Sequence, residues 1–381
     1  MTQQPLHKQK INFAILDSLR GLASLYVVIA HCRGNLWIGG EKYLQQHPFS
    51  TWNIENWLVM LSMSLTKLSG EAVIFFFVLS GFSIAHSLNA QPKVGLFLLK
   101  RFIRLYPPYV LGFLLALFSV LLLKTNYDLY LSGQYETRTF DLFKNSVLLF
   151  QPQVIVNTLL YQPLMGTVIT PYWSLVYEVI FYVGAIFFVR KLKWYYVVSI
   201  VLFVTGILLE ITMPQFRINS ILLKFALQYN FYFMVGIYTY HNLERLTKLK
   251  IMNNRYWVIT LLFMYILMVG LQSLLGERFN VSFLVAAVSC VSMIIIFLKK
   301  NIRISALEKI GQYSYTLYVV HFSVITAIVW FLYSVIKLTP PDINNFFLWI
   351  PAVFVCVGVS YAMYFLAELP AKKLLSRLRK R

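Results

Sequence analysis

The chain has 381 residues, of which 59% are hydrophobic and only 13% are charged. Soluble globular domains carry about 25% charged residues, so this composition excludes an ordinary soluble fold and favours a membrane protein. The formal net charge is +20, which in a soluble protein would indicate nucleic acid binding. Three cysteines lie far apart in the sequence and match no disulfide or metal-ligand spacing, so we predict no metal site.

Ten segments are long and apolar enough to cross a bilayer as helices, which takes about 20 residues each. In chain order they cover residues 11–32, 69–89, 105–123, 172–190, 194–213, 221–241, 256–275, 279–298, 312–336 and 346–367. The connections 33–68 and 124–171 contain short apolar runs that predict interfacial or re-entrant helices. We find no internal repeat and no nucleotide-binding glycine motif. We therefore predict an all-α polytopic membrane protein in which residues 1–381 form one membrane domain, with no appended soluble domain.

Lysine and arginine residues alternate between the two sides of the predicted bundle. They concentrate before the first span, in every second connection and in the C-terminal sequence KKLLSRLRKR, and they are sparse in the two long connections. The positive-inside rule therefore predicts that both termini are cytoplasmic. The basic surface then faces anionic lipid, so we predict membrane lipid as a partner and no nucleic acid.

Ionisable side chains inside membrane helices are costly, so each one is a candidate functional group. The first span contains Asp17 and Arg20, which are three residues apart and can pair on one helical face. His31 lies roughly 21 Å further along the helix than Asp17, because each residue adds about 1.5 Å. Spacing alone supports two interpretations equally. These residues are either functional groups, or a structural ion pair at the membrane surface together with an interfacial histidine. Glu368, at the end of the last span, should cap a helix or pair with the basic tail.

Three later spans supply further candidates. Arg101 and Arg104 lie one helical turn apart at the cytoplasmic end of the third span, where they could clamp a phosphorylated donor or simply anchor the helix. Glu178 of the fourth span shares a face with Ser174, and it is either a functional carboxyl or the partner of an arginine. His321, at the middle of the ninth span, should face the bundle interior, either as a functional group or as a partner of a neighbouring helix.

Five motifs follow one another along the chain: LDSLRGLASLYVVIAH, FFFVLSGF, RFIRLYP, WSLVYEVIFY and SYTLYVVH. Together they resemble the acyltransferase family 3 group of integral-membrane acyl transferases, from residue 16 to residue 321 and on to Glu368. The resemblance implies transfer of an acyl group, most often acetyl, from cytoplasmic acyl-coenzyme A to a hydroxyl of a cell-surface or exported glycan. It also implies the bacterial cytoplasmic (inner) membrane. Val179, Ile180 and Ala72 depart from the family pattern, so the resemblance does not identify the acceptor.

The resemblance also implies roles for individual residues. The family histidine of the first span matches His31, and the family serine and glutamate of the fourth span match Ser174 and Glu178. We predict that His31 and Glu178 are catalytic. His31 would act as a general base on the acceptor hydroxyl or would briefly carry the acyl group. Glu178 would orient the imidazole and stabilise its cationic form.

The family arginine pair matches Arg101 and Arg104, which we predict to bind the phosphates of acetyl-coenzyme A or another acyl-coenzyme A. This donor is a substrate, and we predict no permanently bound cofactor. The remaining candidates would support the site: Asp17, Arg20, Ser174 and His321, the last of which matches the motif histidine of the ninth span.

A different class of function would use the same ionisable residues. A transporter or flippase could move a lipid-linked sugar without acyl chemistry. Such proteins often contain paired repeats, and this chain shows none. Incorporation of label from radioactive acetyl-coenzyme A would distinguish an enzyme from a transporter.

Overall fold

The computed structural model describes residues 13–36, 40–90, 94–125, 142, 144–188, 191–213, 218–248, 256–276, 281–338 and 343–380, and every regular element in these ranges is helical. The α-helices are α1 (Phe13–Leu36), α2 (Gly40–Gln46), α3 (Ile54–Leu65), α4 (Ser69–Ala90), α5 (Val94–Lys124), α6 (Pro152–Leu159), α7 (Trp173–Phe188), α8 (Leu192–Thr212), α9 (Ile221–Lys224), α10 (Asn230–His241), α11 (Leu243–Thr247), α12 (Trp257–Leu275), α13 (Val281–Lys300), α14 (Ser305–Gln312), α15 (Ser314–Trp330), α16 (Trp349–Tyr364) and α17 (Glu368–Lys380). Short π-helical segments follow α9 and α15, at Phe225–Tyr229 and Phe331–Val335.

Nine helices in the described part of the chain are long and apolar enough to cross a membrane. They coincide with nine of the ten predicted spans. The tenth, 221–241, is also helical, but it contains polar Lys224 and Asn230 and a π-helical segment. The prediction of an all-α multi-pass membrane protein is therefore confirmed, while the cytoplasmic position of both termini stays a prediction. Predicted span ends at 11–12, 189–190 and 279–280 lie outside the described residues.

Shorter helices occupy the long connections, as predicted. The helices α2 and α3 lie in the connection 33–68, and α6 lies in the connection 124–171. Helix α5 begins at Val94, well before the predicted start of the third span. Arg101 and Arg104 therefore lie inside this helix, within about its first three turns, on a helical segment as predicted.

The helices divide into two compact units, each built from segments taken from along the whole chain. The first unit comprises the described parts of residues 1–23, 70–101 and 177–312. Two glycine pairs bring its helices into backbone contact: Gly21 with Gly311, and Gly81 with Gly236. A Cβ on any of these glycines would overlap a carbonyl oxygen of the facing helix. Small residues allow such close contact between membrane helices, so α1 meets α14 and α4 meets α10 without side chains between them.

The second unit comprises the described parts of residues 24–69, 102–176 and 313–381. Here Gly112 of α5 lies against Val319 of α15, where a Cβ would be 2.8 Å from the Val319 carbonyl oxygen. Residues of the connection 33–68 pack against Phe346, which precedes α16, in a small core that comprises Tyr43, Val59, Met63 and Phe346. The Asn56 amide donates a hydrogen bond of 3.1 Å to the hydroxyl of Tyr43 in this core.

Glu368 fixes the beginning of α15. Its buried carboxylate accepts hydrogen bonds from the backbone N–H of Thr316 at 3.2 Å and from the Thr316 hydroxyl at 2.7 Å. Lys372 lies 3.0 Å from the other carboxylate oxygen. The first N–H groups of a helix need such acceptors, and a negative charge is favourable there. Glu368 is thus both a cap and an ion-pair partner of the tail, the two alternatives predicted for it.

Candidate active site

Two histidines meet in the second unit. The Nδ1 atom of His31, in α1, lies 2.8 Å from the Nε2 atom of His321, in α15. The ring planes differ by 9° and the ring centres are 5.1 Å apart. Because this separation exceeds the nitrogen separation by about one ring diameter, the rings meet edge to edge in one plane, which is the geometry of a linear hydrogen bond. His321 is completely buried, whereas His31 is partly exposed.

The second nitrogen of His321 faces its own helix. Its Nδ1 atom lies 2.7 Å from the carbonyl oxygen of Tyr318 and 3.1 Å from that of Leu317. These oxygens belong to the preceding turn of α15, so the helix backbone itself orients the ring. His321 faces the interior of its unit, as predicted, and it contacts the predicted catalytic histidine.

The turn of α15 that holds these carbonyls is anchored by the segment that begins α7. The Tyr318 hydroxyl donates to the carbonyl oxygen of Pro171 at 2.8 Å, and the Ser174 hydroxyl lies 2.8 Å from the same Tyr318 oxygen. Because Tyr318 has one hydroxyl proton, Ser174 is the donor to it. The Tyr172 hydroxyl donates to the carbonyl oxygen of Val319 at 2.9 Å. Ser174, a predicted supporting residue, therefore acts on the turn that orients the buried histidine.

Two cysteines lie beside the histidine pair. Cys32 and Cys356 are buried free thiols whose sulfur atoms are 3.8 Å apart. The Cys356 sulfur is also 3.8 Å from the carbonyl oxygen of His321. This contact could not be predicted from the sequence, because Cys32 and Cys356 are 324 positions apart. The thiols fill the apolar interior next to the candidate site.

The first unit contains the other predicted catalytic residue. The Glu178 carboxylate accepts hydrogen bonds from the hydroxyl of Ser80, at 3.0 Å, and from the hydroxyl of Tyr182. These two hydroxyl groups fix the direction of the Glu178 side chain. The guanidinium carbon of Arg101 lies 5.3 Å from the centre of the Tyr182 ring, within cation–π range. Tyr182 thus links the predicted catalytic glutamate to a predicted donor-binding arginine.

Serine hydroxyls hold both candidate arginines of the first unit. Arg101 donates to the Ser87 hydroxyl at 2.8 Å. Arg20 donates to Asp17 at 2.6 Å, as the three-residue spacing predicts, and to the Ser83 hydroxyl at 2.6 Å. Each guanidinium therefore has a fixed direction in a part of the membrane domain where an uncompensated charge would be costly.

A row of serines on α4 connects these groups. Ser80, Ser83 and Ser87 are spaced by three and four residues, so they lie on one face of the helix. Each hydroxyl meets a different charged side chain from another helix. FFFVLSGF enters the sequence analysis only as a family motif, which does not identify these serines as positioning residues. Their helical spacing was the signal that could have found them.

Arg104 lies in α5 one turn after Arg101 and is partly exposed. Because both arginines lie in one helix and are three residues apart, they have the spacing that places them on one face, as predicted. Their role in donor binding stays a prediction.

The resemblance implies that Glu178 orients the imidazole of His31, and this relationship stays a prediction. In the structure, the Nδ1 atom of His31 contacts His321, and the Glu178 carboxylate contacts Ser80 and Tyr182. Motif spacing along the chain could not distinguish these partners. The catalytic role of Glu178 itself stays a prediction.

A family model described as "Acyltransferase domain" matches residues 13–365, which is nearly the whole chain. The chain belongs to acyltransferase family 3. It is therefore an enzyme that transfers acyl groups other than aminoacyl groups, and the family match argues against a transporter without acyl chemistry. The resemblance inferred from the five motifs is confirmed.

One similar protein is "Protein 2 in picA locus" of Rhizobium radiobacter, which is 32% identical over 117 residues. The matched region is 29% of this chain and 46% of the relative, so the chain covers less than half of that protein's length. No solved structure matches the chain.

Proposed function

We propose that this acyltransferase is an O-acyltransferase of the bacterial cytoplasmic membrane. It would transfer an acyl group, acetyl in the first instance, from cytoplasmic acyl-coenzyme A to a hydroxyl of a cell-surface or exported glycan or a lipid-linked sugar. The single observation that supports this most is the His31–His321 pair, in which a partly exposed imidazole is fixed by a buried one at 2.8 Å. A fixed imidazole is the group best suited to remove a proton from an acceptor hydroxyl near neutral pH.

In the proposed reaction, His31 takes the proton of the acceptor hydroxyl while the hydroxyl oxygen attacks the thioester carbonyl carbon. The carbon–sulfur bond then breaks, and its electron pair leaves on the sulfur of coenzyme A. The thiolate takes the proton back from the imidazolium of His31. The products are an ester and free coenzyme A, and the enzyme returns to its starting state.

Donor binding is assigned to Arg101 and Arg104. Guanidinium groups bind phosphate through paired charge-assisted hydrogen bonds, which a lysine cannot reproduce. The contacts of Arg101 with Ser87 and Tyr182 support this assignment, because they hold the guanidinium in one direction before the donor arrives. In the predicted orientation, this end of α5 faces the cytoplasm, where acyl-coenzyme A is available.

Glu178 is assigned the catalytic role that the resemblance implies for it. Its two hydroxyl donors, Ser80 and Tyr182, support this assignment because they hold the carboxyl group in one direction. Asp17 is assigned a structural role as the partner of Arg20.

The experiment that tests the proposal follows label from radioactive acetyl-coenzyme A into an acceptor fraction, using membranes that contain the protein. His31→Ala should abolish transfer while the protein still inserts into the membrane. His47→Ala, which removes a histidine outside the candidate site, is the matched control and should keep full activity. Transfer at the normal rate by His31→Ala would refute the assignment of the base.

The acceptor is identified by a second measurement. Envelope and exported glycans from cells with and without the active protein are compared by mass spectrometry. An acetyl group should be present on the glycan only with the active protein and should be lost with His31→Ala. Identical glycan masses in all three samples would contradict a glycan acceptor.

A further inference from the structure

We infer that His321 is a positioning residue that fixes the tautomer of His31, so that the Nε2 atom of His31 takes the proton from the acceptor. This inference rests on the proposed role of His31 as the base. It assigns to His321 the function that sequence comparison had given to Glu178. The argument follows the protons from the backbone of α15 outward to the partly exposed ring.

The first step concerns the inner nitrogen of His321. Its Nδ1 atom faces the carbonyl oxygens of Tyr318 and Leu317, at 2.7 and 3.1 Å. A carbonyl oxygen only accepts hydrogen bonds. The Nδ1 atom must therefore carry a hydrogen, since a bare nitrogen would place its lone pair against two oxygen atoms inside the protein. The tautomer of His321 is set by the helix backbone.

The second step concerns the nitrogens that join the two rings. His321 is completely buried, and burial in an apolar interior disfavours a charged imidazole. A neutral imidazole carries one hydrogen. Because that hydrogen is on Nδ1, the Nε2 atom of His321 carries a lone pair and accepts. The Nδ1 atom of His31, 2.8 Å away, must then be the donor.

The third step concerns the partly exposed ring. With its hydrogen on Nδ1, neutral His31 has its lone pair on Nε2. This is the nitrogen that can accept the proton of the acceptor hydroxyl. After it does so, the hydrogen on Nδ1 still bonds to His321, so the cation is stabilised without transfer of a second proton. A buried carboxylate fulfils this function in Ser-His-Asp triads; here a neutral imidazole and two backbone carbonyls fulfil it.

Residues around α15 hold these hydrogen-bonded groups in place. The closer carbonyl belongs to Tyr318, whose hydroxyl is bound by both Pro171 and Ser174. The coplanarity of the two rings, within 9°, directs the Nδ1 hydrogen of His31 at the His321 lone pair. Ser174 therefore contributes indirectly to the same function, because it holds the turn that carries the Tyr318 carbonyl.

The tautomer is measured directly by nitrogen NMR. Protein labelled with ¹⁵N-histidine is reconstituted in lipid vesicles without substrates. The chain has six histidines, and the signals of His31 are those that disappear in His31→Gln. We expect neutral His31 to be protonated on Nδ1 and bare on Nε2. A hydrogen on Nε2 of neutral His31 would overturn the inference, whatever the enzyme does.

The kinetic test uses two substitutions of His321. Met has no strong acceptor in place of Nε2, whereas Gln offers an amide oxygen that can accept from His31. His321→Met should lower kcat on the order of 100-fold, the lower range for loss of acid–base catalysis, with an unchanged KM for acetyl-coenzyme A. His321→Gln should recover part of this loss. Equal kcat values for Met and Gln, or a fall in donor affinity alone, would show that His321 is only a structural residue.

Ser323→Ala, another buried position on α15, controls for disturbance of the helix and should keep the wild-type kcat. The two proposals fail in different ways. If His31→Ala stays active, the assignment of the base is wrong and the positioning role of His321 falls with it, whereas acyl transfer itself stands. If His31→Ala is inactive but His321→Met keeps the wild-type kcat, the base stands and only the positioning role is refuted.

Discussion

Replacing Tyr182 by Phe should separate the two networks that meet at this residue. The hydroxyl of Tyr182 donates to Glu178, whereas its ring lies under the guanidinium of Arg101. Phe removes the hydroxyl and keeps a ring that still attracts a cation. We therefore expect kcat to fall while the KM for the acyl donor stays the same.

The size of the effect follows from the hydrogen bonds that remain on Glu178. A hydrogen bond to a charged group contributes about 1.5–3 kcal/mol. Ser80 still donates to the same carboxylate oxygen at 3.0 Å, so the lower value applies. A loss of about 1.5 kcal/mol corresponds to roughly a tenfold fall in kcat. The assay is donor-dependent transfer of radioactive acetyl in reconstituted vesicles.

Two further variants make this test decisive. Tyr182→Leu also removes the ring, so it should raise the donor KM severalfold, as expected from a cation–π contact of about 0.5–2 kcal/mol. Tyr196→Phe removes a buried hydroxyl that has no hydrogen-bond partner in the described part of the chain, and it should change neither constant. An unchanged kcat in Tyr182→Phe, or a donor KM as high as that of Tyr182→Leu, would refute the reasoning.

Two other residues outside the histidine pair give predictions of their own. Ser87→Ala should raise the donor KM roughly fivefold at constant kcat, because loss of about 1 kcal/mol of orienting energy for Arg101 corresponds to that factor. Steady-state kinetics with varied acetyl-coenzyme A measures this KM, and an unchanged value would contradict the prediction. Glu368→Ala should lower the free energy of unfolding by about 2–3 kcal/mol, since it leaves two donors at the start of α15 buried without their acceptor. Unfolding in detergent micelles measures this loss of stability. Glu368→Gln keeps an acceptor and should be destabilised less than Glu368→Ala. Equal destabilisation by the two substitutions would argue against the capping role.

The fold could be predicted from the sequence because each membrane helix is a local feature. A run of apolar residues long enough to cross the bilayer must be helical to satisfy its own backbone. The exception shows the limit of this reasoning. Residues 221–241 contain Lys224 and Asn230 and include a π-helical segment. A π-helical segment departs from regular α-helical hydrogen bonding. A pattern of apolar residues does not predict where such a segment occurs.

The sequence predicts only the local part of the site, because contacts between distant positions depend on how the helices pack. The ion pair of Asp17 with Arg20 is local and follows from its spacing. The contact of His31 with His321 joins positions 290 residues apart and depends on how α1 and α15 are packed. Motif comparison could identify both histidines as candidates, but it could not say that they touch. The serine row of α4 lies between these cases: its spacing was visible, and its charged partners were not.

In the proposed mechanism a neutral imidazole, rather than a carboxylate, orients the proposed base His31, and this has a physical advantage. A carboxylate next to a neutral imidazole adds a formal charge that must be buried in the membrane domain, and such charges are costly there unless they are paired. The two acidic site candidates of the first unit, Asp17 and Glu178, are each bound by a guanidinium or by hydroxyl donors. Two backbone carbonyls of α15 orient His321 at no such cost, because they belong to a helix that is already formed. Charge then appears on His31 only during transfer, and the resting pair stays neutral.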